Sequence, residues 1–213
     1  MNFYISALIP FITFTALFYV NWNRVDKIVD EGKFARLLFY GLLMGIVYVV
    51  LFIYSWYSIY RFEDLMLFSL MLLLPLLASG SQLSILNNEK YRDRKDLVPL
   101  STSLGGAYSL PVSFIIASVT APSIYNYIFI AIITIYSFFI NIMGAAVLAT
   151  GVQRGRLMLY YNGAFLLQIM FSSSIFLEYL IGENALYVAI PEIVVTLLLY
   201  IKIFHGRIVV VKE

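Results

Sequence analysis

The sequence predicts an all-α fold: a polytopic membrane bundle of seven transmembrane helices, with its N-terminus outside and its C-terminus in the cytoplasm. Three observations predict it. Of 213 residues, 62% are hydrophobic and 12% charged, with a mean hydropathy of +0.90. A soluble domain carries about 25% charged residues, so the surface of this chain must itself be apolar. Seven apolar stretches come close to the ~20 residues that a helix needs to cross about 30 Å of hydrocarbon. The third observation is that Lys and Arg collect in alternate connections between those stretches.

In chain order the spans are expected near residues 3–21, 36–59, 64–86, 100–121, 123–150, 157–180 and 185–204. The first, NFYISALIPFITFTALFYV, has no basic segment before it and no small-x-small cleavage pattern after it, so it reads as a retained helix rather than a leader. The connection RVDKIVDEGKFAR follows, with Val25, Ile28 and Val29 spaced for one helical face. A short interfacial amphipathic helix fits those residues, and a plain polar connector fits them equally. The fourth and fifth spans are divided at TAPSIYN, where Pro122, Ser123 and Asn126 supply turn chemistry. Pro10, Pro75 and Pro111 should kink or start their helices, because each removes a backbone donor.

Short cytoplasmic loops carry an excess of Lys and Arg. Arg24, Lys27, Lys33 and Arg36 lie in the first connection; Lys90, Arg92, Arg94 and Lys95 in the third; Arg154 and Arg156 in the fifth; Lys202, Arg207 and Lys212 in the tail. Arg61 alone falls on the other side. The alternation supports both the number of spans and their direction. The whole chain is one transmembrane domain, with an extra span over 1–22 and a six-helix core over 24–205.

The residue inventory points away from enzymatic chemistry. There is no cysteine, and His205 is the one histidine, so haem and zinc sites lack their usual ligands. Asp26, Asp30, Asp64, Asp93 and Asp96 all lie in connections, which leaves no intramembrane aspartate pair. Neither Ser79 nor Ser81, in ASGSQ, has a histidine placed to activate it. No metal site, cofactor or nucleic-acid partner is expected.

Polar residues within the spans are few. Glu178 ends the sixth and Glu192 follows Pro191 in the seventh; an ionisable residue inside a span is a functional candidate because its charged form is costly there. In LEYLIGENALYVAIPE, Gly182 and Pro191 interrupt the apolar run. A segment that re-enters the membrane and presents Glu178, Gly182, Pro191 and Glu192 as an outer gate fits this pattern, and so does a simple outer loop before an ordinary helix. Gly41 and Gly45, four apart, and Gly144 let helices approach closely, either within the bundle or at a seam between two subunits.

The passage NNEKYRDRKDLVPLS is too polar for a mere turn. It can form a short surface helix, with Leu97, Val98 and Leu100 turned to the bundle or the lipid, the charges facing the cytoplasm, and Pro99 ending it. Glu89, Lys90, Arg92, Arg94, Lys95, Leu97 and Pro99 are the candidate contacts for a soluble partner. Here the chain resembles the permease subunit of a type-2 ATP-binding-cassette exporter. Such permeases have six helices with both ends cytoplasmic, as spans two to seven would. Their first intracellular loop runs from Glu-Arg/Lys through leucines to Ser/Thr-Pro-Leu, and here Glu89, Lys90, Leu97, Pro99, Leu100 and Ser101 stand at comparable places. NIMGAAVLATGVQRGR and the broken segment before the last helix are also similar. The extra first span departs from that family, and so does YRDRKD, which replaces its glycine–threonine–leucine run.

The resemblance implies a non-enzymatic exporter subunit in the cell membrane, coupled through loop 86–100 to a separate nucleotide-binding ATPase and paired with a second permease half. It also implies an ATPase on another chain, since no phosphate-binding loop occurs here. A small seven-helix channel or carrier and an accessory subunit of a larger membrane complex remain the alternatives.

Overall fold

In a computed structural model of the chain, the backbone is described over residues 2–25, 28–58, 68–119, 124–181 and 185–201. Every regular element among those residues is helical. They are α1 (Asn2–Val25), α2 (Glu31–Ser58), a π-helical turn (Ser69–Leu73) running into α3 (Leu74–Leu86), the single turn α4 (Glu89–Arg92), α5 (Leu97–Val119), α6 (Ile124–Arg154), α7 (Leu157–Ile181) and α8 (Ala185–Tyr200). Each expected span corresponds to one long helical segment. Stretches within α2, α5 and α6 are long and apolar enough to cross a membrane, with mean hydropathies of 2.4, 1.3 and 2.2.

Side-chain contacts fix the relative directions. Gly41 and Gly45 of α2 meet Leu104 and Tyr108 of α5, so these two helices run parallel. Gly105 and Gly106 meet Asn141 and Phe138, and Gly144 and Gly151 meet Gln168 and Tyr160; α6 therefore runs opposite to both α5 and α7. Tyr136 and Phe139 of α6 meet Glu192 and Tyr200, which sets α8 parallel to α6. Asn21 reaches Thr102 while Phe14 packs on Phe138, so α1 runs against α5. Because α2 and α5 start at the same end, α3 must carry the chain back between them. All seven long segments alternate in direction.

α5 and α6 form the centre. Their apolar windows are 78% and 72% buried, against 28% for α2. One apolar cluster, with Tyr48, Phe52, Tyr108, Ile133, Tyr136 and Phe171, fills the bundle where α2 ends. Another, with Val25, Phe34, Leu86, Tyr91, Leu97 and Val152, closes the end that carries the charged loop. The outside is also apolar: Leu43, Ile46, Val50 and Tyr54 of α2, and Val194, Leu198 and Ile201 on and just beyond α8, are all exposed.

Local chemistry sets the helix boundaries. α6 stops because Gly155 takes a left-handed φ of 64°, with the Arg156 N–H donating to the Gly151 carbonyl at 3.0 Å and the Gly155 N–H to Val152 at 3.3 Å. This glycine-based ending satisfies carbonyls the helix would otherwise leave open. α2 starts where the Asp30 carboxylate accepts the Lys33 N–H at 2.9 Å, an N-cap that occupies one of the four free donors of a helix start.

Three expectations need correction. Among the described residues the first connection is a corner rather than a separate amphipathic helix: the Ile28 and Val29 N–H groups donate to the Val25 carbonyl, and Val25 and Val29 are buried. Pro99 does not end a surface helix. It sits in the first turn of α5, which begins at Leu97, a place where the missing proline N–H costs nothing. The broken segment expected before the last helix is not broken at its proline: Ala185–Tyr200 runs as one helix straight through Pro191. A dip that returns at Pro191 is not the path taken. Gly182 lies outside the described residues, as do Arg61, His205 and the basic residues of the tail.

Candidate functional site

The charged loop sits on one end of the bundle, in the angle between α2, α5 and α6. Asn88 caps α4, its Oδ1 accepting the Lys90 N–H at 3.1 Å. Tyr91 turns inward and is 3% exposed, holding the turn to the core like a peg. Its hydroxyl has no hydrogen-bond partner among the described residues, and burial pushes it above the ordinary tyrosine range. Past it, Arg94 donates through Nε and Nη2 to both oxygens of Asp96 at 2.7 and 2.6 Å. That two-pronged geometry is the strong form of the ion pair, and the hydrogen bond to Asp96 raises the Arg94 guanidinium further. The Gln153 amide, at the end of α6, donates to the Arg94 and Lys95 carbonyls at 2.9 and 3.3 Å.

These contacts divide the candidate residues in two. Glu89, Lys90, Arg92 and Lys95 are exposed, and Arg92 lies 3.6 Å from Asp93 in a solvated pair that is worth little. Arg94 is committed to Asp96. Leu97 is 0% exposed and Pro99 is buried with it, so neither is a contact surface for a partner: both belong to the core beneath the loop.

A second polar region lies inside the bundle. The Asn141 Oδ1 accepts from Gln168 at 2.8 Å while its amide donates to the Ser137 carbonyl at 2.7 Å, joining α6 to α7. Asn21 donates to Thr102 at 3.0 Å, joining α1 to α5. The hydroxyls of Ser101, Thr102, Ser103, Ser109 and Ser113 return to carbonyls of their own helix, α5. These buried hydroxyls are thereby satisfied within their own helix. Ser79, Gln82 and Tyr108 are buried with polar atoms that have no hydrogen-bond partner among the described residues. Tyr108 also lines a cavity of about 130 Å³ between α2, α3 and α5, shared with Met44, Tyr48, Leu77 and Ser81.

Glu192 points from α8 toward α6 and α7. Its Oε2 contacts the Ser174 hydroxyl at hydrogen-bond range and the Tyr136 hydroxyl at 3.3 Å. Glu178 lies on the last turn of α7, and its side chain is outside the described set. Pro191 is exposed. Of the two proposed gate residues whose side chains are described, Glu192 turns toward α6 and α7 while its neighbour Pro191 faces out.

The three glycines also part company. A Cβ on Gly41 would run into the Leu104 carbonyl, and one on Gly45 would lie 2.6 Å from the Tyr108 carbonyl. Both are used within the bundle, pressing α2 onto α5. A Cβ on Gly144 would meet only the Gln168 amide, at 3.6 Å. Gly105 does for α5 and α6 what Gly41 does for α2 and α5, and nothing in its neighbours LGGAY marks it out. Gln153 and Tyr136 likewise carry no signal in their sequence neighbourhood, because their partners lie 59 and 56 residues away. Comparison with protein-family models, with curated proteins and with solved structures finds no match to this chain.

Proposed function

We propose that this chain is a multi-pass protein of the cell membrane, its seven helices spanning with the N-terminus outside, and that it serves as the permease subunit of an ATP-driven exporter. Loop 87–96 is its docking surface for a separate nucleotide-binding ATPase. One observation carries the reading: the loop is charged on its outer side and fastened on its inner side. Tyr91, the Arg94–Asp96 pair and Gln153 tie it to the ends of α2, α5 and α6, so a push on Lys90 or Arg92 is passed to helices rather than absorbed by slack chain. A loop that served only as a solvated connector would not need three anchors. The alternation of helix direction, the apolar outer faces and the basic side all support the spanning arrangement. With Gly41 and Gly45 already engaged, a second permease half would meet the exposed face of α2, along Leu43, Ile46, Val50 and Tyr54.

The test is reversal of the three exposed cations, Lys90→Glu, Arg92→Glu and Lys95→Glu together, in tagged protein purified from its own membranes. The expected result is loss of a co-purifying ATPase subunit while the protein still inserts and folds. Should the wild-type protein bring down no ATPase, or the triple variant retain it fully, the coupling role is wrong.

A second reading, a carrier that works alone, is favoured by Gln82 and Tyr108, whose unpartnered polar atoms inside the bundle would suit a polar solute. Solute flux in vesicles that contain this chain and no other protein would select it.

A further inference from the structure

We infer that the cavity between α2, α3 and α5 binds an uncharged, lipid-soluble molecule about one aromatic ring in size, held by a hydrogen bond from the Tyr108 hydroxyl to an oxygen of the guest. This site rests on the membrane-spanning reading alone; neither an ATPase nor transport enters it. Gly41 and Gly45 press α2 onto α5, and α2 packs far less closely on α3. A gap is left along that side, enclosing about 130 Å³. An apolar cavity of about 150 Å³ takes a benzene molecule, so the space suits a single ring.

Mouth and interior differ in chemistry. The lining residues most open to the outside are Val47 of α2 and Leu77 of α3, 53% and 43% exposed. The mouth lies between them, and a guest enters from hydrocarbon past two apolar side chains. Deeper in, Tyr48 and Tyr108 meet edge to face with ring centres 5.6 Å apart, and Met44 lines the same space. Aromatic rings and a thioether favour an aromatic guest. Tyr108 is 2% exposed, and its hydroxyl has no hydrogen-bond partner among the described residues. Ser81 gives its own hydrogen to the Ala78 carbonyl at 3.0 Å, so it does not compete as a donor.

These surroundings select among guests. A buried hydroxyl left unpaired is costly, and a lipid acyl chain has no atom to accept its hydrogen. Lipid ester oxygens stay at the interface, whereas Tyr108 lies eleven residues beyond Leu97, the start of α5. That is about 17 Å along the helix, roughly half the thickness of the hydrocarbon. A water would need about two to four polar partners, and Met44, Val47, Leu51 and Leu77 offer it none. No described lining residue carries a charge to pair with an ion. A neutral molecule, apolar over most of its surface and bearing one acceptor oxygen such as a carbonyl, satisfies every wall.

The probe is 4-fluoroacetophenone, a single ring with a carbonyl, followed by fluorine NMR in phospholipid vesicles that contain the intact chain. Resistance of the protein to carbonate extraction is checked first, so failure of the membrane reading shows before any probe is added. The bound resonance should saturate at one molecule per chain. 4-Fluoroethylbenzene, which keeps the ring and lacks the oxygen, should bind about fivefold more weakly. Tyr108→Phe removes the donor and keeps the ring, so the preference for the ketone should vanish. Val47→Trp closes the mouth from an exposed position, where added bulk leaves the core alone, and should abolish saturable binding of both probes. Absence of saturation in the wild type would mean that an acyl chain or water holds the cavity, and would overturn the site. Equal binding of the two probes, or a preference that survives Tyr108→Phe, would overturn the hydrogen bond. Undiminished binding in Val47→Trp would overturn entry from the bilayer.

Discussion

Close approach of backbones decides the fate of single substitutions here. Gly45→Val would place methyl groups against the Tyr108 carbonyl and the Pro111 ring, whose Cγ lies 3.0 Å from the point a Cβ would occupy. Overpacking of this kind costs about 1–3 kcal/mol, so the variant should unfold at lower temperature in detergent, as followed by the near-ultraviolet signal of its aromatic residues. Gly144→Ala is the control. Its new methyl meets only the far end of the Gln168 side chain, and the change should stay within about 0.5 kcal/mol. Composition marks all three glycines as places for close packing, yet it does not separate them. The separation depends on which way each faces around its helix, and that is set by helices distant in sequence. For the same reason Glu192 was legible as an unusual residue, while its partners Ser174 and Tyr136 were not.

Helix ends and connections respond instead to charge. The Asp30 carboxyl is held below the usual aspartate range, chiefly by the Lys33 backbone N–H, against the opposing effect of desolvation and with smaller help from the Lys33 and Arg94 charges. Its folded-state value is thus lower than its unfolded one. The stabilisation is present above the unfolded value and lost as pH falls through the folded value. A thermal-shift series from neutral to acid pH should show that loss in the wild type, and Asp30→Ala should remove that part of the slope. At the other side of the same end, Gln153→Ala should free the loop without unfolding the bundle. Hydrogen exchange in residues 89–96 should rise, by about the fivefold that one lost hydrogen bond of ~1 kcal/mol allows, with little change in α5. The polarity of this loop and its side of the bundle were both readable from Lys and Arg alone. Its anchoring was not: LVPL reads as the end of one helix or the start of another, and only the burial of Leu97 and Pro99 in the core makes it the start.

For the molecule as a whole, the chain contains no cysteine, so single cysteines report topology without a background. Lys90→Cys and Ser123→Cys should react with a membrane-impermeant maleimide from opposite sides of sealed vesicles; labelling from the same side would break the seven-span arrangement. The number and the directions of the long helices were legible because apolar length and loop charge are summed over many residues. Which helices sit at the centre was not, since α2 has the highest mean hydropathy of the three long apolar stretches and is nonetheless peripheral. The outward face of α2 is apolar as well as its packed face, whereas α5 can carry serines and glycines because its neighbours cover them. The π-helical turn Ser69–Leu73 carries a different consequence at this scale. The Leu74 N–H reaches back five residues to Ser69, just before Pro75, which has no N–H to offer Met71. Such a turn holds one residue more than an α-helical path, so it acts as a phase shifter: Phe68, the described residue before it, is rotated by about 100° about the axis of α3 relative to an uninterrupted helix. The face that α3 gives the bundle and the exposed position of Phe68 are therefore indexed separately. Removing one residue from Ser69–Leu73 would leave α3 soundly hydrogen-bonded and aim Phe68 elsewhere, an indel whose damage lies in angle rather than in length.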